Sequence, residues 1–316
     1  MRCHFPATFP ANEYGREAAH MNTTAEITAA FRDAMHGAGI TPPNRIEADG
    51  TLHRFHVEGD RRGSLNGYYL LHLDGRPAGG FGYWKSGTRA TWTADGERLS
   101  DAERERTARL IEAARAKAQA ERRAEHEARA LEARREWSRT VAPDPAHPYL
   151  LTKGVRPHNL RLLGACLIVP LYDAYGLLWN VQRILPDGTK RFRPGRAGGL
   201  FSPIGDLVDP VRLLICEGWA TGATLHEETG HPVLCAMNAG NLLPVARAAR
   251  TAWPRAELVI CADNDRFTEG NPGVTYATAA AKATGAKLIV PEFPEGVAGS
   301  DFNDLAALRR KGGHHE

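Results

Sequence analysis

Residues 256–265 read AELVICADND, an apolar run that ends abruptly in two aspartates, Asp263 and Asp265, with one residue between them. A short, continuous aliphatic stretch bounded by polar residues fits a strand covered on both faces. The neighbouring segments repeat the theme. Upstream, VRLLICEG (211–218) is another such run and closes on Glu217; WATGATLHEETG after it has helical character. HPVLCAMN and NLLPVARAART form a second strand-then-helix pair, and VTYATAAAKATG followed by AKLIVPEF continues the series beyond the aspartates. Strand and helix alternating in this way predict a parallel sheet flanked by helices, in which ligands collect at the carboxyl ends of the strands.

The acids fall at those ends. Glu217 follows the first strand, Asp263 and Asp265 the third, and SDFNDL (300–305) places Asp301 and Asp304 after the fourth. Carboxylates gathered on one rim repel one another and are costly to desolvate unless a divalent cation neutralises them. An oxygen-only ligand set without histidine or cysteine favours Mg2+ or Mn2+, and no zinc is expected. A lone D-x-D is a weak signal, since receiver domains, haloacid-type phosphatases and glycosyltransferases also carry acids there. In a haloacid-type phosphatase, however, the first aspartate sits on the first strand, whereas here the D-x-D comes third, after a strand ending in Glu-Gly.

The rest of the chain divides by composition. With 316 residues, 42% hydrophobic and 24% charged, it is long enough for more than one core. No apolar run nears the roughly 18–20 residues of a membrane span, and the N-terminus lacks the apolar centre of a signal peptide, so a cytoplasmic location is expected. Cys3, Cys166, Cys216, Cys235 and Cys261 include no C-x-x-C pair and fit buried thiols in a reducing compartment. A net charge of +3 identifies no nucleic-acid binder by itself, so the placement of the basic residues has to decide.

Residues 1–20 show no periodicity and precede Met21; they read as a disordered extension or an upstream start, with the folded protein expected to begin near Met21. Residues 21–99 read as a small α+β domain: an amphipathic helix over 24–37, then strand-like segments such as LHRFHV, YYLLHLDG and RPAGGFGYW separated by turn signals. Here His53, His56 and His72 read as exposed or satisfied histidines. Tyr68, Tyr69, Trp84 and Trp92 read as packing residues, with base stacking as the alternative. Residues 100–139, free of glycine and proline and rich in alanine, arginine and glutamate, predict one long charged helix. Its sparse apolar positions fit a solvated spacer, a nucleic-acid or partner contact being the alternative. Residues 140–208 read as an α+β basic subdomain, 209–312 as the parallel-sheet domain, and the terminal GGHHE as a frayed tail. In the basic subdomain, Arg183, Lys190, Arg191, Arg193 and Arg196 crowd the glycine-rich LPDGTKRFRPGRAGG (185–199), which is either a solvated loop or a phosphate grip.

Taken in order, LLICEGWATGATL, LVICADND and SDFNDL resemble the Toprim domain of bacterial-type primases, topoisomerases and related nucleases. HPYLLTKGV, LIVPLYDAYGLLWNVQRILPDGTKRF and LHRFHVEGDRRGSLNGYYLLHLDGRPAGGFGYWKSG resemble segments of the primases of conjugative plasmids, integrated elements and phages. The resemblance implies a Mg2+- or Mn2+-dependent DNA primase that makes short RNA primers on single-stranded DNA from ribonucleoside triphosphates, in the service of a mobile element. It implies Glu217 as catalytic glutamate and Asp263 and Asp265 as the metal-binding pair, with Asp301 and Asp304 adding to the metal set. Arg183, Lys190, Arg191 and Arg193 would face nucleotide and template. No Cys/His zinc module and no Walker loop is found, so a separate helicase or zinc-module protein is an expected partner. A Toprim nuclease, or a non-catalytic single-stranded-DNA-binding accessory, is the alternative.

Overall fold

The computed structural model describes residues 23–94 and 101–312. The expectations for the first twenty residues, for Met21 as a start, for Cys3 and for the terminal tail therefore lie outside the described residues. Two compact units divide the chain, Met1–Glu121 and Arg122–Glu316. Among the described residues no helix is long and apolar enough to cross a membrane.

In the first unit, α1 (Thr24–Gly37) opens with a capping box: Glu26 N–H donates to Thr23 Oγ1 at 3.3 Å while Thr23 N–H donates to the Glu26 carboxylate at 3.1 Å. Four antiparallel strands follow, β1 (His53–Phe55), β2 (Gly67–His72), β3 (Ala78–Tyr83) and β4 (Thr88–Thr93), paired in sequence order. Phe31 of α1 fits edge-on among Tyr69, Phe81 and Trp92. Gly79 makes that fit possible, because a Cβ there would lie 2.4 Å from Leu70 O and 2.9 Å from the Phe31 ring. Strand alternation sends Tyr68 to the other face, where it stacks on Trp84 with centroids 4.1 Å apart. His53 bonds Asp49 and His56 bonds Ser64, whereas Nδ1 of His72 is buried without a partner.

The charged segment forms one helix, α2 (Asp101–Trp137), and the division between the units falls inside it. The spacer expectation fails for its last turns. Ala130 and Ala133 are fully buried, Glu136 is 6% exposed, and Arg134 Nε donates to Leu178 O at 3.0 Å. The sparse apolar positions at this end are small residues that let the helix lie close against a sheet.

That sheet is antiparallel: after α3 (Pro148–Lys153) come β5 (Arg161–Leu163), β6 (Cys166–Tyr172), β7 (Leu178–Ile184) and β8 (Lys190–Phe192), again in sequence order. The alternating region then follows as β9 (Ser202–Ile204), β10 (Arg212–Cys216), α4 (Trp219–Thr229), β11 (Val233–Cys235), α5 (Leu242–Ala252), β12 (Glu257–Cys261), α6 (Pro272–Thr284), β13 (Lys287–Ile289) and α7 (Phe302–Gly312). The sheet order is β13-β12-β10-β11-β9, parallel throughout except for the edge strand β9. Leu213 and Ile215 of β10 pack toward α5 and α6. The intervening Leu214 and Cys216 join Trp219, Ala223, Leu167 and Ile184 in a core shared by both sheets.

Cys216, Cys235 and Cys261 end three neighbouring strands in register and are buried. Burial raises the Cys216 thiol well above its usual range and pushes Cys261 up to about 12, so both act as small apolar groups. They leave so little room beneath α4 that a Cβ at Gly222 would sit 2.2 Å from Cys235 Sγ.

Candidate active site

The register of β10 with β12, Cys216 opposite Cys261, brings Glu217 and Asp263 out of adjacent strands on the same rim. The loop after β12 is fixed by the middle residue of the D-x-D: Asn264 N–H donates to Ser300 O at 2.6 Å and its side-chain amide to Pro291 O at 3.1 Å. This ties the two aspartates to the segment carrying Asp301. The Asp265 carboxylate accepts the Gly273 N–H at the start of α6, at 3.0 Å. A Cβ on Gly273 would lie 2.3 Å from the Asp263 carbonyl oxygen, so α6 reaches the loop only because residue 273 has no side chain. Gly273→Ala is therefore expected to push the first turn of α6 off the aspartates. It should cost about 1–3 kcal/mol in a denaturant titration, and about 100-fold in any activity of the rim through a displacement of roughly 1 Å.

Asp301 spends its two oxygens differently. Oδ1 accepts the Asp304 N–H at 2.8 Å, and Oδ2 accepts the Thr221 hydroxyl at 3.0 Å. Asp304 in turn accepts the Ser300 N–H at 3.1 Å. Asp304 thus stabilises the entry to α7, an arrangement that the D-x-x-D spacing fits as well as it fits metal binding. Thr221, 1% exposed on the inner side of α4 and four residues after Glu217, is a positioning residue that no motif in the sequence marks. Thr221→Val keeps the shape and removes the hydroxyl, and should weaken divalent-cation binding at the rim about tenfold in a calorimetric titration. Thr221→Ser should restore it.

The electrostatics of the rim follow from this crowding. Asp263 is pushed up to about 8, first by burial and then by the charges of Glu217, Asp301 and Asp265, with Lys190 opposing. Its Oδ1 is buried and accepts no hydrogen bond. Glu217 is also raised, by burial and then by Asp265, while the Ala239 N–H and Lys190 hold it down. A buried carboxylate oxygen without a partner, among like charges, has the chemistry of a cation ligand.

The basic residues expected to act together are divided by the pleat of β8. Lys190 lies opposite Ile184 and Arg191 opposite Arg183, so alternate residues face opposite ways. Lys190 turns toward the acids. Its Nζ stands 5.9 Å from the centroid of the Tyr149 ring, a buried side chain whose hydroxyl has no partner. Lys190 is open to solvent on one side yet crowded by protein on the others. That crowding and then Lys153 lower its pKa, against the pull of Asp301, Asp263 and Glu217. Arg183 turns toward α2 and grips Glu136 bidentately, Nε to Oε1 at 2.7 Å and Nη2 to Oε2 at 2.8 Å. Arg193 bonds Glu136 as well and reaches Glu132 at 2.8 Å. Burial works to raise Glu136, but these guanidinium contacts outweigh it and hold the carboxyl below its usual value. Arg191 is exposed. The structure divides the expected phosphate grip: it brings Lys190 to the acids and gives Arg183 and Arg193 carboxylate partners on another element.

In the first unit, Glu47, Asp49 and His53 offer ligand atoms within 4.8 Å of one another, but they are largely exposed, and His53 and Asp49 already bond each other at 2.9 Å. The acid rim is the better candidate centre.

Residues 212–313, which hold the whole parallel region from β10 onward, match the Toprim domain family. Most of the chain is similar to two proteins described as DNA primase TraC. It is 39% identical over 280 residues to a DNA primase TraC of Escherichia coli, an alignment covering 84% of this chain and 26% of that protein. It is 37% identical over 283 residues to a second Escherichia coli DNA primase TraC, covering 83% of this chain and 19% of the relative. The chain thus spans about a quarter or less of the length of these relatives. Among solved structures, the primase fragment of the bacteriophage T7 primase-helicase protein aligns with 52% of this chain and 70% of its own, at 15% identity and a TM-score of 0.40.

Proposed function

We propose that this chain is the catalytic core of a metal-dependent DNA primase that joins ribonucleotides into short RNA primers on a single-stranded DNA template. The observation that carries the reading is the buried, unpartnered Asp263 oxygen on a rim shared with Glu217, Asp265 and Asp301 and faced by Lys190. The similarity to DNA primase TraC supplies the reaction class.

The donor set fits a hard divalent cation. Asp263, Asp265 and Glu217 would hold Mg2+ or Mn2+ through oxygen, with Asp301 adjoining, and among the described residues no imidazole or thiolate competes at the rim. When bound, the ion supplies positive charge that favours ionisation of a 3′-hydroxyl and offsets charge on the departing pyrophosphate. The chain's own groups do the rest. Glu217, whose carboxyl is raised by burial and then by Asp265, would accept the proton of the attacking 3′-hydroxyl as the new bond to the α-phosphorus forms and the α–β bond breaks. Lys190, with Lys153 beside it, meets the negative charge of the triphosphate. Thr221, Asn264 and Gly273 hold the acids in place. A separate helicase or zinc-module protein is the proposed partner for loading and start-site choice.

The test is incubation of the chain with single-stranded DNA, ribonucleoside triphosphates and Mg2+, scoring both new oligoribonucleotides and template length. Short RNA products that disappear on chelation are expected. Shortened template without RNA would overturn the reading in favour of a Toprim nuclease.

A further inference from the structure

The first unit carries a second cluster that the acid rim does not use. Across its four strands Arg54, Tyr68, Gly82 and Arg89 lie in register as one row. A Cβ at Gly82 would sit 2.5 Å from the Tyr68 hydroxyl, so the Tyr68 ring lies flat over that glycine, and Trp84 stacks on the same ring. The two connections at this end of the sheet, β1–β2 and β3–β4, carry Arg61, Arg62 and Lys85. Asp60 organises both. Its carboxylate, 2% exposed, accepts Asn66 Nδ2 at 2.8 Å, the Tyr83 hydroxyl at 2.7 Å and Lys85 Nζ at 3.1 Å. Arg54 is braced by the Leu65 carbonyl. A buried carboxylate tying together one side chain from each connection and one from the end of β3 fixes a loop end well beyond what a solvated turn needs. Arg54, Arg61, Arg62, Lys85 and Arg89 are all exposed, and Trp84 is half-buried.

We propose that this end of the sheet is a binding site for single-stranded nucleic acid, in which Trp84, backed by Tyr68, stacks a base and Arg54, Arg61, Arg62, Lys85 and Arg89 hold the phosphodiester backbone. Aromatic faces among cations are the recurring arrangement of sequence-tolerant single-strand binders. A duplex would hide its base faces from Trp84, which decides for a single strand. The site lies outside the catalytic unit and stands whether or not the acid rim makes primers.

The test is fluorescence anisotropy of the full chain with a labelled thymidine oligonucleotide in chelator, over a series of salt concentrations, with thermal melting as the control for folding. Arg61→Ala combined with Arg62→Ala, both at exposed positions, should flatten the slope of log affinity against log salt by about 1.4, at about 0.7 for each phosphate contact on a single strand. Trp84→Ala should weaken binding about tenfold or more, and Trp84→Phe should recover most of the loss. Unchanged affinity and slope in these variants, or a duplex of the same length binding as well as the single strand, would overturn the proposal. Primer synthesis is scored separately. Loss of strand binding in the arginine pair alongside an inactive rim supports this site and counts against the primase reading. Primers made at saturating template by variants whose strand affinity never changed do the reverse.

Discussion

Asp263→Asn is expected to abolish metal-dependent nucleotidyl transfer, by about 1,000-fold or more on the scale of removing an essential preorganised electrostatic group, while the metal-free chain becomes more stable near neutral pH. Asp263 has a folded pKa of about 8 against an ordinary value of 3.8. The folded chain therefore holds a proton that the unfolded chain releases above about pH 4. The penalty is absent below the unfolded pKa, grows as the pH rises, and levels off above about 8. At about 1.4 kcal/mol per pKa unit, the metal-free wild type should lose on the order of 4 kcal/mol between pH 4 and pH 8 from this group. Asparagine removes that dependence and nearly preserves volume. The check is a pair of denaturant titrations in chelator across this range, beside a primer-synthesis assay. A variant that keeps full activity, or whose stability falls with pH as steeply as the wild type's, would remove Asp263 from the centre of the site.

Arg183→Ala separates two readings of the basic stretch. Were Arg183 a phosphate ligand on the catalytic side, its loss would weaken nucleotide binding and leave the fold intact. The structure instead places it on Glu136, which is 6% exposed and also held by Arg193. Removing one partner of a buried ion pair strands the other charge, at a cost of about 3–5 kcal/mol where nothing else compensates. With Arg193 still present, roughly 2–3 kcal/mol is expected. The loss should shrink when Glu136→Gln is added, since the charge that needs neutralising is then gone. Guanidinium chloride unfolding of the two single variants and the double variant gives the coupling. Lys190→Ala is the contrast: exposed and aimed at the acids, it should lower nucleotide affinity with little change in stability.

Much of the second unit could be read from the chain. Three strands end in ICEG, LCAM and ICAD, each with cysteine at its final position, and the structure aligns those cysteines side by side. Once helices separate such strands, parallel pairing and a shared rim follow, and Glu217 and Asp263 meet on it without further information. The edge strand β9 went unread, since SPI is too short and too proline-broken to show a strand period. The supports of the site were equally hidden. Thr221 and Gly273 look like ordinary helix residues until their contacts are known, and Asp304 is as good a helix cap as a ligand.

Local sequence determined which segments become strands and helices, and therefore that acids crowd the carboxyl rim of a parallel sheet, because apolar periodicity and the chain order of strand tips are properties of the sequence itself. Tertiary structure alone decided the partners of the charges. KRF in 190–192 is a short basic run with no period of its own; pairing with β7 makes it a strand, and its pleat then sends Lys190 to one face and Arg191 to the other. Glu136, 47 residues from Arg183, reads in sequence as one more charge on a solvated helix. It becomes a buried anchor because packing brings Ala130 and Ala133 close enough for the sheet to exclude water around it. Charge partners are set by through-space distance and shared desolvation, which the folded chain fixes and sequence spacing does not.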